Sequence, residues 1–225
     1  VIFREYDIRG VYNSQFDKDF AYLLGKAYCQ YLFIKRGIKN PKVALGHDAR
    51  LSAAEIKESL SRGLQESGAE VYYLGLVTSP ISYYATFGLD FLNGALMITG
   101  SHNPPEYNGF KISVGQGTIF GDEIQELLRI IQKGEFQKGQ GSEVKHNIFP
   151  QYLERYKKEF GQIKPIKVVL DCGNGAAGCI VKDLFSSVGL NPTILFEKPD
   201  GLFPNHHPDP TVEKNLVDLK NAVIK

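Results

Sequence analysis

Short β-branched and apolar runs alternate with stretches of helical periodicity along the whole chain, and this alternation limits the possible folds more than any other feature. It is the pattern of helices layered on a sheet. Phe3–Val11 reads as an extended opening. Phe20, Leu23, Leu24, Ala27, Tyr28, Tyr31 and Leu32 then share one helical face, and Gly37 ends that helix. Lys42–Gly46 reads as a strand, and Ser52 with Glu55 has capping-box spacing ahead of Ile56, Leu60 and Leu64. Val71–Leu74 is a further strand, and Ser79-Pro80 opens a helix with proline in its favoured first position. Ala95–Ile98 and Phe110–Val114 read as strands joined by a polar loop, followed by a helix carrying Ile124, Leu127, Leu128 and Ile131.

Gly134–Asn147 is rich in glycine and polar residues and reads as a linker. Beyond it lie a helix at Phe149–Phe160, a strand at Ile166–Leu170, a helix near Ile180–Val188, a strand at Thr193–Phe196 and a helix near Asn215–Ile224. Two strands and a few helices bury little surface, so this second unit reads as cut short. The first residue is Val1 and the one methionine is Met97, from which we expect the natural start to lie upstream.

With 26 basic against 25 acidic side chains, the chain lacks the basic excess of a nucleic-acid groove or a surface for acidic membranes. No apolar run approaches the roughly 18 residues that span a bilayer. Cys29, Cys172 and Cys179 cannot all pair and form no CxxC. Inert thiols in a reduced, cytoplasmic setting are expected. Glycine makes up 23 of 225 residues, above the roughly 7% average, which directs attention to the loops.

Three loops could carry chemistry. The first, Thr99–Lys111, sets Ser101 after a glycine and beside His102, stiffens the segment with Pro104 and Pro105, and ends on Lys111. A reactive side chain at a strand's carboxyl end is the usual placement in α/β sheets. A proline-rich turn with Ser101 and Asn103 capping backbone groups fits the spacing equally. No G-x-S-x-G elbow surrounds Ser101, so a hydrolase triad fits poorly. Phosphoryl chemistry fits better, because it needs positioning and cations, and Arg9, Arg50 and Lys111 could supply the charge.

In the second, Asp171–Gly178, the glycines Gly173, Gly175 and Gly178 stand in G-x-G-x-x-G spacing with Glu197 closing the next strand. That is the pattern of a dinucleotide-binding oxidoreductase module, or else of a glycine turn that lets helix and strand pack closely. The third, Phe203–Pro210, holds His206, His207 and Asp209 between prolines, without zinc-ligand spacing, and reads as a rigid surface loop. Gly46–Ser52 joins a strand to a helix, either as an anion-meeting turn or as an ordinary cap.

Together these segments resemble the α-D-phosphohexomutase superfamily, and within it the bacterial phosphomannomutase/phosphoglucomutase group. Tyr6–Gly10 looks like its opening motif, Thr99–Lys111 like its phosphoserine loop, and Asp171–Gly175 and Phe203–Pro210 like landmarks of its second domain. The resemblance implies residues 1–146 as a first domain, a mixed sheet sandwiched between helices, and 147–225 as an incomplete second domain of similar architecture. It implies interconversion of hexose 1-phosphate and hexose 6-phosphate through a phosphoserine and a bisphosphorylated sugar. Ser101 would be that phosphoserine, His102 and Lys111 the proton-transfer candidates, and Tyr6, Arg9 and Asn103 the groups orienting the phosphorylated hexose. Mg2+ would meet Ser101 through its phosphoryl group, with a D-G-D-x-D loop expected beyond Lys225 and the third and fourth domains absent. It also makes the Gly173–Gly178 turn structural. Phe110 and the Tyr6-Asp7-Ile8 opening fit the mannose/glucose group better than the glucosamine mutases. The chain alone is expected to be inactive.

Overall fold

The computed structural model describes residues 2–224. Strands β1 (Ile8–Val11), β2 (Lys42–His47), β3 (Glu70–Leu76), β4 (Gly94–Ile98), β5 (Tyr107–Val114), β6 (Gly117–Thr118) and β7 (Ser142–Lys145) form one mixed sheet. Its order is β1-β5-β4-β2-β3-β7, with β6 beside β5. β4, β2, β3 and β7 run parallel, while β5 is antiparallel to both β4 and β1. The parallel strands need crossover helices, which the periodic segments supply: α1 (Lys18–Arg36), α2 (Ala53–Gln65), α3 (Ser79–Gly88) and α4 (Asp122–Lys133). The α/β sandwich expected from the alternating pattern is therefore present.

Two cores follow from the two faces. Leu24, Tyr28 and Leu32 of α1, Ile56, Leu60 and Leu64 of α2, and Ile124 and Leu127 of α4 pack on Val43, Leu45, Leu96 and Phe110. Ile81 and Ala85 of α3 pack on the opposite face with Ala44, Ala95 and Met97. At Gly37 the left-handed C-cap ends α1, its N–H reaching the Leu32 and Phe33 carbonyls.

Some expectations shift. Ser52 is itself helical and makes no side-chain cap bond; its Oγ accepts from Asn108 Nδ2 at 2.9 Å. Glu55 does not close a capping box either, and its carboxylate accepts from Tyr12 Oη at 2.7 Å. Asn108 is fully buried, so its amide needs that partner more than the helix end does.

The 134–147 linker contains β7, which adds to the sheet beside β3. Its attachment is polar. Glu143 accepts from Lys57 Nζ and Ser61 Oγ, both at 2.5 Å, and the Lys57 ammonium lies 4.2 Å from the Tyr73 ring centre.

The second unit contains α5 (Phe149–Phe160), β8 (Val169–Asp171), α6 (Val181–Ser187), β9 (Thr193–Leu195) and α7 (Val217–Ile224), with 3-10 turns at Ala176–Cys179 and Glu213–Leu216. The strand expected at Ile166–Leu170 is shorter, and the last helix begins as a 3-10 turn. β8 and β9 pair in parallel with each other. Among the described residues that pairing is their whole sheet. Phe160, Ile166, Val217, Val223 and Ile224 are more than half exposed, so this unit buries little of its apolar surface. The units nevertheless touch: Tyr152 of α5 meets Tyr84 of α3 with ring centres 5.2 Å apart, and Ile180 joins the core beneath α3.

Because Glu143 is the side-chain tie between β7 and α2, beside the backbone ladder to β3, Glu143→Ala is expected to cost about 1.5–3 kcal/mol, the range for hydrogen bonds to charged groups. Hydrogen exchange should accelerate at residues 142–145 while β2 and β4 stay protected.

Candidate active site

The carboxyl ends of β2, β3 and β4 lie together, and the 99–106 loop rises there between β4 and β5. Asp48, directly after β2, organises its first half. Asp48 Oδ2 accepts from Thr99 Oγ1 at 2.8 Å and from the Gly100 amide at 3.2 Å, and Thr99 Oγ1 accepts from the Ser101 amide at 2.9 Å. Arg50 organises the rest. One terminal nitrogen donates to the Pro104 and Tyr107 carbonyls at 2.5 and 2.9 Å, and the other to those of Ser101 and Asn103 at 3.0 and 2.7 Å. Its Nε donates to Asp48 at 3.2 Å, and the side chain is 0% exposed.

Arg50 is thus not the free phosphate-binding cation that the sequence suggested. All five guanidinium donors have partners within the protein. Burial lowers its pKa, and the adjacent Asp48 carboxylate works against that shift. Nor is Gly46–Ser52 an open anion turn or a plain cap. Asp48 and Arg50 were passed over as loop organisers; the available signal was an Asp-x-Arg pair between a strand and a helix.

Ser101 sits exposed at the loop's tip with φ of 56°, in the left-handed region. The exposed His102 has its Nδ1 3.4 Å from Ser101 Oγ. Arg9 donates to Asn103 Oδ1 at 2.7 Å and pairs with Asp7, while its buried Nε lacks a hydrogen-bond partner. The structure therefore brings Ser101, His102, Asn103 and Arg9 together. Lys111 lies opposite Met97 in the β4–β5 ladder, and Met97 and Ser101 both line one cleft. Tyr6 does not line that cleft; it is 69% exposed and its ring lies against Phe120 at 6.4 Å.

The cleft, about 230 Å³, lies between the two units, with Asp48, Thr99 and Ser101 on one wall and Cys172, Ala176 and Phe203 on the other. A larger concavity of about 460 Å³ faces away, over α2, where Lys18, Lys57 and Arg62 balance Glu55, Glu58 and Glu143. Volume alone would favour neither, since a concavity of about 530 Å³ beside Phe3, Phe120 and Gln125 exceeds both. The cleft with the strained serine, at the carboxyl end of parallel strands, is the better placed of the two.

The Gly173–Gly178 turn is filled by the protein itself. Asn174 Nδ2 donates to the Lys198 carbonyl at 2.9 Å and its Oδ1 accepts from Asn205 at 2.7 Å. A Cβ on Gly178 would lie 1.6 Å from the Glu197 carbonyl oxygen. A 3-10 turn, not an α-helix, follows directly. These contacts give the turn a packing role between Glu197, Lys198 and Asn205, so the dinucleotide reading is not favoured.

The 203–210 loop is less superficial than expected. Phe203 is 9% exposed, and His206 uses Nε2 toward Asp171 at 3.0 Å and Nδ1 toward the His207 carbonyl at 2.9 Å. With two acceptors on its two nitrogens, His206 is built to be protonated.

Cys29, Cys172 and Cys179 are unpaired thiols. Burial pushes Cys29 up to about 12 and the other two to about 11. Among the described residues no three His, Cys, Asp or Glu side chains converge as a metal site. Asp48, next to Ser101, has both oxygens engaged by hydrogen bonds. These residues alone do not make a magnesium site. Among the described residues no helix is long and apolar enough to cross a membrane.

Comparison with known proteins defines the class. Residues 1–138 match the family model for phosphoglucomutase/phosphomannomutase, alpha/beta/alpha domain I, and residues 150–225 match that for domain II. The chain belongs to the phosphoglucomutase/phosphomannomutase family, within the phosphohexomutases. It is 43% identical over 218 residues to a phosphomannomutase/phosphoglucomutase of Pseudomonas aeruginosa, covering 97% of this chain and 46% of that protein. It is 42% identical over 224 residues to a phosphoglucomutase of Neisseria meningitidis, covering 99% and 48%. A phosphoglucomutase/phosphomannomutase family protein from Burkholderia thailandensis superposes with a TM-score of 0.92 at 37% identity, covering 99% of this chain and 49% of that one. The chain therefore spans about half the length of these relatives.

The His206 arrangement makes a pH prediction. Burial alone would lower its pKa, but the His207 carbonyl and the Asp171 carboxylate together raise it above 6.5. Its stabilising contribution is therefore complete below about pH 6.5, the unfolded value, and is lost as pH rises through the higher folded value. Thermal unfolding from pH 5.5 to 9 should show the gap between the natural chain and His206→Gln shrinking as pH rises.

Proposed function

We propose that this chain is the phosphoserine-bearing part of a phosphohexomutase acting on mannose or glucose phosphates. In this reading residues 1–146 form the first domain and 147–225 part of the second. Ser101 carries the phosphoryl group, passes it to a hexose monophosphate, and recovers one from the bisphosphorylated sugar. The observation that carries the reading is the position of Ser101: exposed, in a left-handed conformation, on a braced loop at the mouth of the cleft between the units.

His102, with Nδ1 3.4 Å from Ser101 Oγ, would take or return the serine proton. Lys111, whose ladder partner Met97 lines the cleft, would act as a point charge on the transferring group or as the second proton carrier. Arg9 and Asn103 hold each other at the loop's flank and orient the phosphorylated hexose. Tyr6 fits least well, because its ring rests on Phe120; it reaches sugar only if that contact opens.

Mg2+ would neutralise charge on the transferring phosphoryl group. Among the described residues no cluster of carboxylates accompanies Ser101, so a phosphorylated Ser101 would offer one ligand and the carboxylates would come from the rest of the full-length protein. Three unpaired thiols support a reduced, cytoplasmic location.

Protein isolated from cells should be partly phosphorylated at Ser101, and Ser101→Ala in the full-length enzyme should abolish turnover. Phosphate mapped only to other residues, or an active Ser101→Ala enzyme, would refute the assignment. The 225-residue chain by itself should turn over mannose 1-phosphate no faster than buffer.

A further inference from the structure

The brace on the Ser101 loop does not end within the first unit. Phe203, from the second unit, lies with its ring centre 5.3 Å from the Arg50 guanidinium carbon, and both residues are buried. The guanidinium edges are filled by Asp48 and four loop carbonyls, and the aromatic ring lies against its face.

Phe203 also has φ of 50°. A left-handed conformation is unfavourable for an aromatic residue and persists only where its surroundings hold it. They do. The Phe203 amide donates to the Asp200 carbonyl at 3.0 Å, and the Asp200 amide donates to the Asn174 carbonyl at 2.8 Å. Between them Gly201 presses on the first unit: a Cβ there would lie 2.6 Å from the Ala49 carbonyl oxygen and 2.7 Å from the Leu51 amide nitrogen. The glycine turn at 173–178 is thus the anchor of a short arm that reaches across and presses on both sides of Arg50.

We infer that Phe203 is a positioning residue for Ser101, its ring holding Arg50 in the geometry that shapes the serine loop. The functional half of this inference rests on Ser101 being the phosphoryl carrier. The second unit then does more than wall the cleft. Seating its arm completes the loop that carries the reactive hydroxyl.

The test uses the whole 225-residue chain and compares Phe203→Leu, Phe203→Tyr and Gly201→Ala with the natural sequence. Leucine keeps an apolar cover but removes the aromatic face; tyrosine keeps the face; the added methyl lifts the arm without touching Phe203. Exchange at the Gly100 and Ser101 amides, divided by exchange in β4, separates loop loosening from general unfolding. Phe203→Leu should raise this ratio roughly three- to thirty-fold, the range a cation–π contact supports. Gly201→Ala should raise it comparably, and Phe203→Tyr should leave it near one. A ratio of one in both Phe203→Leu and Gly201→Ala overturns the inference, as does Phe203→Tyr behaving like Phe203→Leu.

Phosphorylation of Ser101 by glucose 1,6-bisphosphate in the full-length enzyme, with and without these substitutions, followed by mass, tests the functional half. A fall in the maximal rate in Phe203→Leu with unchanged half-saturation supports positioning. A phosphorylated natural enzyme, with rate and exchange indifferent to both substitutions, sinks the inference and leaves the carrier reading standing. Looser loops in the variants, with no phosphate ever reaching Ser101 in the natural full-length enzyme, uphold the clamp and sink the carrier reading.

Discussion

The contact between Asp48 and Arg50 sits beneath every functional feature of this chain. Removing a guanidinium from water is costly unless nearly all its donors find acceptors, and a partner carboxylate offsets the charge. Here the acceptors are mostly backbone carbonyls of the 99–107 segment, groups that would otherwise need partners of their own at a loop lifted off the sheet. Each side satisfies the other. The loop can therefore project a serine and a histidine into solvent while its base is as constrained as a strand. Lysine could not replace arginine, since a point charge cannot reach four carbonyls lying in different directions.

The sheet gives that contact its location. β2 and β4 are parallel neighbours, so the residues after one strand meet the residues after the other. Asp48 donates its amide to the Ile98 carbonyl at 3.0 Å, which continues the ladder one step past the strands and brings the carboxylate to Thr99. The same topology puts the second unit's arm within reach, since the open side of the cleft lies at that sheet edge.

Much of this was legible in the chain. The helices with apolar stripes, the buried runs at 42–46 and 95–98, and the serine loop follow from periodicity and turn chemistry. β7 was not legible, because Ser142-Glu143-Val144-Lys145 has almost no apolar pattern and is held by hydrogen bonds to α2. The capping box misled because a buried amide, Asn108, claimed Ser52 first. Asp48 and Arg50 were hidden for a related reason: their hydrogen-bond partners lie some fifty positions away, and no local spacing encodes them. The histidines at 206 and 207 suggested a surface loop, yet the first of them is partly buried against Asp171 and the Phe196 ring.

The conformation of Ser101 restricts which hydroxyl-bearing residue can occupy that site. At φ of 56° a β-branched side chain crowds its own backbone. Threonine, chemically the nearest alternative hydroxyl, would have to swing the loop tip out of the left-handed region and away from the Thr99 hydroxyl that receives its amide. Aspartate and asparagine tolerate that region far better. Over evolutionary substitution the site is thus closed to the residue that would conserve the chemistry and open to residues that conserve only the shape. An acidic side chain at 101 would keep the loop intact and, on the proposed reading, act as a permanently charged, non-transferable imitation of a phosphorylated serine.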